Sequence, residues 1–219
     1  MKKILWFINH AINLICPNVC GICDKICKED LCKKCEIKLN NFAKIKIDRY
    51  VDKNFLKHLY LFKYEGIIKE RLINFKFNEK PYIYKSFVNF LIKNEKICKI
   101  LKTYDIIIPV PIHYNRKVTR GYNQSALIAK EIAKNLEIEY DDNILYKRVN
   151  NKPQSTKNKE ERITNVIGVY FVETKEKLLN KKVLILDDIY TTGSTVNECS
   201  KVLKLAGVNK VDIITIAKD

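Results

Sequence analysis

Short apolar runs and longer amphipathic stripes alternate along this chain. The short runs predict β-strands at 58–64, 105–109, 166–172, 183–186 and 210–216. The stripes, with apolar residues three or four positions apart, predict α-helices at 67–77, 82–101, 124–136 and 194–206. Strands that alternate with helices are typical of a doubly wound fold, in which helices cover a mostly parallel sheet. We therefore expect the α/β fold class, with ligands at the carboxyl ends of the strands.

Three further segments frame this pattern. Residues 36–57 form a basic connector, and residues 145–166 form a charged loop long enough to suggest a functional lid. At the N-terminus, Ile4, Ile8 and Ile12 lie close to one helical stripe, which predicts a short amphipathic helix. No run reaches the ~18 apolar residues that a membrane-spanning helix needs, and no signal-peptide cleavage site follows the N-terminal run. We therefore expect a cytoplasmic protein that does not span a membrane.

Four cysteines form two closely spaced pairs near the N-terminus. The first pair is Cys20 and Cys23, the second is Cys32 and Cys35, and eight residues separate the pairs. Each Cys-x-x-Cys pair can place two thiolates on one metal ion, and two pairs complete a tetrahedral zinc site. Because all four positions are then filled by sulfur, we expect a structural Zn²⁺ ion.

Other interpretations of the cysteines stay open at this stage. Disulfides are disfavoured in a cytoplasmic protein, and an iron–sulfur cluster fits the paired spacing less well than zinc. Cys16 and Cys27 are either bystanders or alternative metal ligands. Cys98 and Cys199 lie on apolar faces of predicted helices, which favours buried core thiols.

Length and charge set the domain organisation and the class of partner. The 219 residues suffice for one sizeable domain and a small appendage. We expect the amphipathic helix and zinc module at 1–45 and the α/β domain at 46–219. The formal net charge of +16 favours polyanions, either nucleic acid or phosphorylated small molecules. A base composition rich in A and T would also give many lysines, so charge alone leaves the partner open.

Residues 183–195 carry the clearest chemistry of the chain. An apolar strand ends in Asp187 and Asp188, and a turn rich in hydroxyls then enters a helix. The turn consists of Thr191, Thr192, Gly193, Ser194 and Thr195. Backbone N–H groups at a helix N-terminus favour a phosphate, while adjacent carboxylates can accept hydrogen bonds from two neighbouring hydroxyls. The pattern predicts recognition of a ribose 5-phosphate; a capped strand–turn–helix with a solvated acid pair is the alternative.

This segment resembles the phosphoribosyl pyrophosphate (PRPP) loop of type I phosphoribosyltransferases. Further stretches narrow the resemblance. In one, Tyr64-Glu65-Gly66 precedes a predicted helix that carries Lys69 and Arg71 and ends in Phe75-Lys76-Phe77. Another runs from Pro109 to His113 and is followed by Arg120-Gly121-Tyr122-Asn123-Gln124. Together with the paired cysteines and the Arg148 to Asn165 region, they make nearly the whole chain similar to the ComF family of late-competence proteins. One departure is Lys157, where the family usually has leucine.

The resemblance implies a type I phosphoribosyltransferase-like parallel-sheet domain with a small N-terminal four-cysteine zinc module. Asp187 and Asp188 would contact the ribose hydroxyls of PRPP bound with Mg²⁺, and the turn would hold the 5-phosphate. Contacts to the pyrophosphate or from the long loop would come from Val110, Ile112, His113, Arg116, Arg120, Arg148 and Arg162. Several of these residues could have no ligand contact: the arginines could be solvent-exposed surface or loop charges, and His113 could have a structural role. Asn123 could equally be a helix N-cap.

Two functions follow from the resemblance. The first is an accessory factor that handles single-stranded DNA during natural competence and DNA uptake, together with proteins of the competence machinery. Basic residues and the aromatic side chains Tyr50, Tyr60 and Phe62 are compatible with binding and stacking single strands. The alternative is an active phosphoribosyltransferase acting on a nitrogenous acceptor. No segment of the sequence identifies that acceptor, so we also expect PRPP or a related ribose phosphate as a ligand without predicting catalysis.

Overall fold

A mixed six-stranded sheet lies at the centre of the fold. The computed structural model describes residues 17–148, 168–173 and 175–219. Within these residues the sheet strands are β1 (Ala43–Arg49), β2 (Lys57–Lys63), β3 (Ile106–Pro109), β4 (Glu139–Tyr140), β7 (Lys182–Tyr190) and β8 (Lys210–Lys218). Their order is β1-β2-β8-β7-β3-β4, and every neighbouring pair is parallel except β1 and β2. A separate antiparallel hairpin contains β5 (Leu145–Lys147) and β6 (Tyr170–Val172).

Helices cover both faces of the sheet. In chain order they are α1 (Lys33–Phe42), α2 (Gly66–Phe77), α3 (Ile83–Ile92), α4 (Glu95–Leu101), α5 (Tyr114–Arg120), α6 (Gln124–Leu136) and α7 (Ser194–Leu205). Alternation along β7 separates the faces: Leu184 and Leu186 pack with α6 on one side, and Val183 and Ile185 pack with α7 on the other. This alternation is the expected pleat of a strand buried on both faces. The predicted α/β fold class is confirmed.

Several element bounds differ from the sequence prediction. The predicted helix 82–101 is two helices, because the side chain of Asn94 accepts a hydrogen bond from the Ile97 amide and starts α4. The predicted connector 36–57 contains most of α1 and all of β1. The predicted strand 183–186 continues to Tyr190, since its last residues pair with β8. Helix α5 was not predicted, and it buries no residue.

Some predictions fall on residues that the structure does not describe. These are the N-terminal amphipathic helix, Cys16, Lys157, Arg162 and most of the charged loop. The division at 45/46 stays a prediction; it falls inside β1, and Cys20, Cys35 and Leu39 share one core cluster with the sheet. None of the helices in the described ranges is long and apolar enough to cross a membrane.

An ion-pair cluster ties the cysteine module to α2. Asp24, which has a φ of 59°, accepts hydrogen bonds from Arg71 at 2.8 Å, Lys80 at 2.8 Å and Tyr82 at 2.9 Å. Burial acts to raise the pKa of Asp24, but these three donors outweigh burial and lower it to about 2. The module also packs tightly on α3, because a Cβ on Gly21 would lie 2.7 Å from the Ile83 Cα. The cysteine module is therefore fixed against the helix that follows β2.

Candidate functional site

A cavity of about 1060 Å³ opens at the carboxyl ends of β3 and β7. These strands are neighbours, and the helices that follow them, α6 and α7, lie on opposite faces of the sheet. In open α/β sheets such a switch point is the usual place for a ligand crevice. The cavity is bordered by α2, by the segment from β3 into α5, by the β5–β6 hairpin and by the turn after β7.

The turn after β7 has the geometry that an anion site requires. Gly193 has a φ of 73°, in the left-handed region that favours glycine, and it is the last residue before α7. A Cβ at this position would overlap the ring of Tyr190. The Thr192 and Ser194 hydroxyls are 2.7 Å apart, and the Ser194 amide donates to Thr192 Oγ1 at 3.3 Å. All five turn residues predicted from the sequence line the cavity.

The two adjacent acids occupy different environments beside this turn. Asp187 Oδ1 accepts hydrogen bonds from the Ser125 hydroxyl and the Asp188 amide, both at 2.9 Å. Asp188 is 4% exposed, and its Oδ2 lies 2.8 Å from Lys76 Nζ. Desolvation and the neighbouring Asp188 charge raise the pKa of Asp187 to about 7. The pair therefore offers carboxylate acceptors in a site where negative charge is costly.

Cationic side chains surround the acid pair. Lys69, Lys76, Arg116, Arg120 and Lys147 all line the cavity. Burial lowers the pKa of Arg120 and of Lys147, and the Arg116 charge acts in the same direction on both. Arg120 also donates to Gln124 Oε1 at 2.6 Å. An anionic ligand would relieve the repulsion among these cations, which is typical of phosphate and pyrophosphate sites.

Sequence reasoning missed several residues of this site. Lys69 and Lys76 come from α2, and Lys147 and Tyr170 come from the β5–β6 hairpin. Lys69 and Lys76 belong to a stretch that carries the family resemblance, but no ligand contact was predicted for them, and Lys147 resembled the many other lysines of the chain. The available signal was positional: Lys147 and Tyr170 lie at the two ends of the charged loop, so a short hairpin at its base would bring them together.

Only some of the residues predicted to contact pyrophosphate are placed so that they can do so. Ile112, Arg116 and Arg120 line it. Val110 also lines it, but the Val110 amide donates to the Leu186 carbonyl at 2.9 Å, so this amide is not a phosphate donor. That part of the prediction is wrong, because the ladder between β3 and β7 extends one residue past the strand end.

Two other predicted residues have structural partners. His113 is the N-cap of α5, where its Nδ1 accepts a hydrogen bond from the Asn115 amide at 3.1 Å. Asn123 is the N-cap of α6, as the alternative interpretation stated, and its Nδ2 also donates to the Val110 carbonyl at 3.0 Å. Arg148 is exposed, with its guanidinium 5.0 Å from the centre of the Phe171 ring, and it is not among the cavity-lining residues of the described ranges.

An aromatic cluster packs around Tyr190, the residue that immediately precedes the turn after β7. Tyr190 stacks on His58 at 4.3 Å and lies 6.2 Å from the Tyr50 ring. The predicted stacking of DNA bases on Tyr60 and Phe62 is wrong, since both side chains are buried; Tyr50 is half-buried and packs against the core. Tyr60 and Phe62 lie on β2, which pairs with β1 on one side and β8 on the other, and this interior position was not evident from the sequence of the strand.

The predicted cysteine ligands come together in one cluster. The Sγ atoms of Cys20, Cys23, Cys32 and Cys35 all lie within 4.8 Å of one another, and Cys23 and Cys32 are 3.9 Å apart. Tetrahedral zinc with four sulfur ligands requires sulfur atoms roughly 3.8 Å apart, from a Zn–S distance of about 2.3 Å. The donor set therefore fits a metal ion. Cys27 lies nearby and donates to the Glu29 carbonyl at 2.6 Å, outside the four-cysteine cluster.

Comparison with known proteins agrees with this geometry. Residues 123–219, which include the acid pair and the turn, match the phosphoribosyl transferase domain family. The chain is 31% identical to competence protein F of Haemophilus influenzae over 66% of this chain and 65% of that protein, slightly under two thirds of its length. It is 30% identical to competence protein ComFC of Streptococcus pneumoniae over 74% of this chain and 69% of that protein. The chain belongs to the ComF family of competence proteins.

The ComF resemblance extends beyond the phosphoribosyl transferase domain. Competence protein ComFC of Bacillus subtilis is 24% identical over 97% of this chain and 84% of that protein. The four cysteines precede the matched domain. A ComF protein of this kind thus combines a phosphoribosyltransferase-type fold with a four-cysteine cluster that could bind a metal ion.

The raised pKa of Asp187 predicts a pH-dependent gain in stability for Asp187→Asn. An aspartate in the unfolded chain ionises near pH 4, whereas folded Asp187 ionises near pH 7, so the wild-type protein loses stability as pH rises between these values. Asparagine retains the Oδ1 acceptor and has no charge. We expect the variant to gain about 1–3 kcal/mol relative to wild type between pH 5 and pH 8, measured by urea unfolding.

The control for this experiment is Asp52→Asn, at a side chain that is 76% exposed. This substitution removes a surface carboxylate outside the cavity and should leave the free energy of unfolding close to the wild-type value. Parallel stability curves for Asp187→Asn and wild type would show that Asp187 titrates as an ordinary surface carboxylate.

Proposed function

We propose that this ComF-family chain binds PRPP or a related ribose phosphate and serves as an accessory factor for single-stranded DNA in competence. One observation supports the ligand above all others: the acid pair lies beside the hydroxyl-rich turn that precedes α7, in a cavity lined by five cationic residues of the described ranges. The acids would accept from the ribose hydroxyls, the turn would hold the 5-phosphate, and the cationic residues would face the pyrophosphate. Mg²⁺ would accompany PRPP and neutralise part of its charge.

The long loop would contribute when the ligand is present. Arg148 and the loop residue Arg162 are proposed to approach the bound pyrophosphate, as phosphoribosyltransferase loops do by analogy. Glu198 on α7 supports this role, because its Oε1 accepts from the Gly168 amide at 2.9 Å and anchors the end of the loop. The cytoplasm remains the predicted compartment, since it would keep the cysteines reduced.

Removing both acids should abolish tight PRPP binding. We expect Asp187→Ala combined with Asp188→Ala to weaken Mg²⁺–PRPP binding by about a hundred- to ten-thousandfold, since hydrogen bonds to charged acceptors contribute about 1.5–3 kcal/mol each. Isothermal titration calorimetry on metal-loaded protein measures this change, with Asp52→Ala as the matched control. Wild-type protein that gives no heat with Mg²⁺–PRPP would remove PRPP from the proposal.

The same preparation separates binding from catalysis. Release of pyrophosphate with any of a panel of nitrogenous acceptors would support the alternative, an active phosphoribosyltransferase. PRPP binding without release would support a ligand-sensing accessory protein.

We propose zinc as the metal of the four-cysteine cluster, because four thiolates at tetrahedral spacing suit Zn²⁺. We expect about one zinc per chain by mass spectrometry of metals, and strong loss of zinc and of thermal stability in Cys32→Ser. Cys98→Ser is the control, since Cys98 lies on α4 outside the cluster and should leave the zinc content unchanged. Iron with a visible charge-transfer absorption in purified protein would contradict the zinc assignment.

For DNA we propose a basic strip along α1 and β1. Its members are all exposed: Lys33, Lys34, Lys38, Phe42, Lys44, Lys46 and Arg49. Phe42 is 44% exposed and provides an aromatic side chain among the cations. A cationic track with an accessible ring is the usual design of a surface that binds single strands without reading their sequence.

Charge removal from this strip should reduce the salt dependence of DNA binding. For Lys38→Ala, Lys44→Ala and Lys46→Ala combined, we expect the slope of log K against log salt to fall by about 2, at roughly 0.7 per phosphate contact. Fluorescence anisotropy with a labelled oligothymidine measures the slope. The control combines Lys96→Ala, Lys99→Ala and Lys130→Ala, three exposed lysines on α4 and α6. Equal slopes for both triple variants would move the DNA surface elsewhere.

A further inference from the structure

A second pocket lies at the opposite end of the sheet from the ligand cavity. Its volume is about 250 Å³, and it opens where β2, β7 and β8 begin, between the sheet and α4. Most of its lining is apolar and includes Ile47, Leu59, Ile100, Leu101 and Leu184. Sites for whole cofactors or metabolites usually measure about 300–1,000 Å³, so this pocket has the size for one large side chain.

The apolar surface continues from this pocket onto the edge strand β1. Ile47, which lines the pocket, is 42% exposed, and Ile45 on the same strand is 37% exposed. Ile100, which lines the pocket from α4, is exposed as well. Single exposed apolar side chains need no explanation, but several of them around an apolar pocket mark an interaction surface.

A buried hydrogen-bond network holds the pocket in shape. Asp212 is 1% exposed, and its Oδ2 accepts a hydrogen bond from the Tyr104 hydroxyl at 2.6 Å and pairs with Lys210 Nζ at 2.8 Å. The Oδ1 atom of Asp212 accepts from the Lys57 amide at 2.8 Å. These contacts join the starts of β2 and β8 to the segment between α4 and β3. A pocket that is already formed costs little ordering entropy when a ligand binds.

Cationic side chains surround the pocket. Lys57 and Lys210 line it, and the exposed Lys102 directly follows α4. Arg49, which is also exposed, is the register partner of Lys57 across the β1–β2 ladder. An exposed acid of the same region, Asp105, accepts a hydrogen bond from a β7 amide at 2.6 Å. The surface around the pocket is therefore net positive, which favours an acidic partner.

Charge also distinguishes among the occupants that this surface could take. A second copy of this chain carries a net charge of +16, and residues 1–16 contain two lysines and no acid, so both would bring like charge to the pocket. Single-stranded nucleic acid has the right charge, but the aromatic ring that lines the pocket, Tyr104, is only 8% exposed and offers little face for a stacked base. An acidic segment with an apolar side chain matches both the charge and the pocket.

We propose that this pocket and the cations around it form a docking site for an acidic peptide segment of a partner protein. One large apolar side chain of the segment, a phenylalanine or a leucine, fills the pocket between Ile47 and Ile100. Neighbouring carboxylates of the segment pair with Lys57 and Lys102, so the contact has both an apolar anchor and electrostatic selectivity. Because the ligand cavity lies at the other end of the strands, the partner and a ribose phosphate can bind the same molecule.

The probe is a fluorescein-labelled peptide of two glycines, four aspartates, a leucine and a C-terminal phenylalanine, titrated by anisotropy against metal-loaded, full-length protein. We expect saturable binding below about 100 µM at low salt. Ile47→Gln on β1 and Ile100→Gln on α4 should each weaken binding about tenfold, because each removes apolar surface from the pocket. Leu205→Gln is the matched control, an exposed apolar position on α7 outside the pocket, and should change the affinity less than about twofold.

The charges are tested separately. Lys57→Glu combined with Lys102→Glu should weaken peptide binding at least about tenfold at low salt, and the loss should shrink as salt rises. Lys130→Glu combined with Lys204→Glu changes the net charge equally at exposed positions of α6 and α7, and its effect should stay below about threefold because distant charges are screened. A peptide with serines in place of its leucine and phenylalanine should bind about tenfold more weakly than the original probe.

Several results would overturn this docking site. One is the absence of saturable binding, and another is equal peptide affinity in Ile47→Gln, Ile100→Gln and Leu205→Gln. Oligothymidine that displaces the peptide and itself binds more weakly to Ile47→Gln would assign the surface to nucleic acid. Tighter peptide binding by Ile8→Asp would assign the pocket to the N-terminal segment of the chain, and a dimer that Ile47→Gln dissociates would assign it to a second copy. Displacement of the peptide by Mg²⁺–PRPP would place the probe in the ligand cavity instead.

Discussion

The ion pair between Lys76 and Asp188 is the interaction on which the rest of the site depends. Two adjacent carboxylates at the end of a central strand repel each other and are partly removed from water, so they require compensation. Lys76 compensates Asp188 from α2, and Ser125 compensates Asp187 from α6. These two contacts therefore fix α2 and α6 relative to β7.

Helix α2 connects the two parts of the molecule that the sequence presents separately. Near its middle, Arg71 holds Asp24 of the cysteine module, and near its end Lys76 holds Asp188 of the cavity. Breaking a buried pair leaves an uncompensated charge and is costly, so each contact restrains the other through a rigid helix. A metal in the cysteine cluster would thus stabilise the same helix that forms the apolar and cationic wall of the ligand site.

Much of the fold could be predicted because its pattern is local. The alternation of Val183, Leu184, Ile185 and Leu186, and the helical spacing of Val196, Cys199 and Leu203, specify a buried strand and its covering helix from neighbouring residues alone. The bounds of helices and strands were predicted less well where tertiary contacts or single side-chain hydrogen bonds set them. The edge strand β1 has mostly exposed residues and is defined by pairing with β2. The break at Asn94 depends on a single side-chain cap that a continuous apolar stripe conceals.

The sequence by itself determined the chemistry of the chain: four paired cysteines, two adjacent acids and a hydroxyl turn with a glycine that the backbone requires. These signals are readable because each depends on residues only a few positions apart. The tertiary structure alone decided which other groups join them. Lys147 and Tyr170 are ordinary residues in sequence, and Lys76 and Phe77 carry the family resemblance without a predicted ligand contact. All four line the cavity because α2 and the β5–β6 hairpin fold against the ends of β3 and β7. Long-range packing, unlike local spacing, leaves no pattern in a single sequence, since it depends on how whole elements bury their apolar faces.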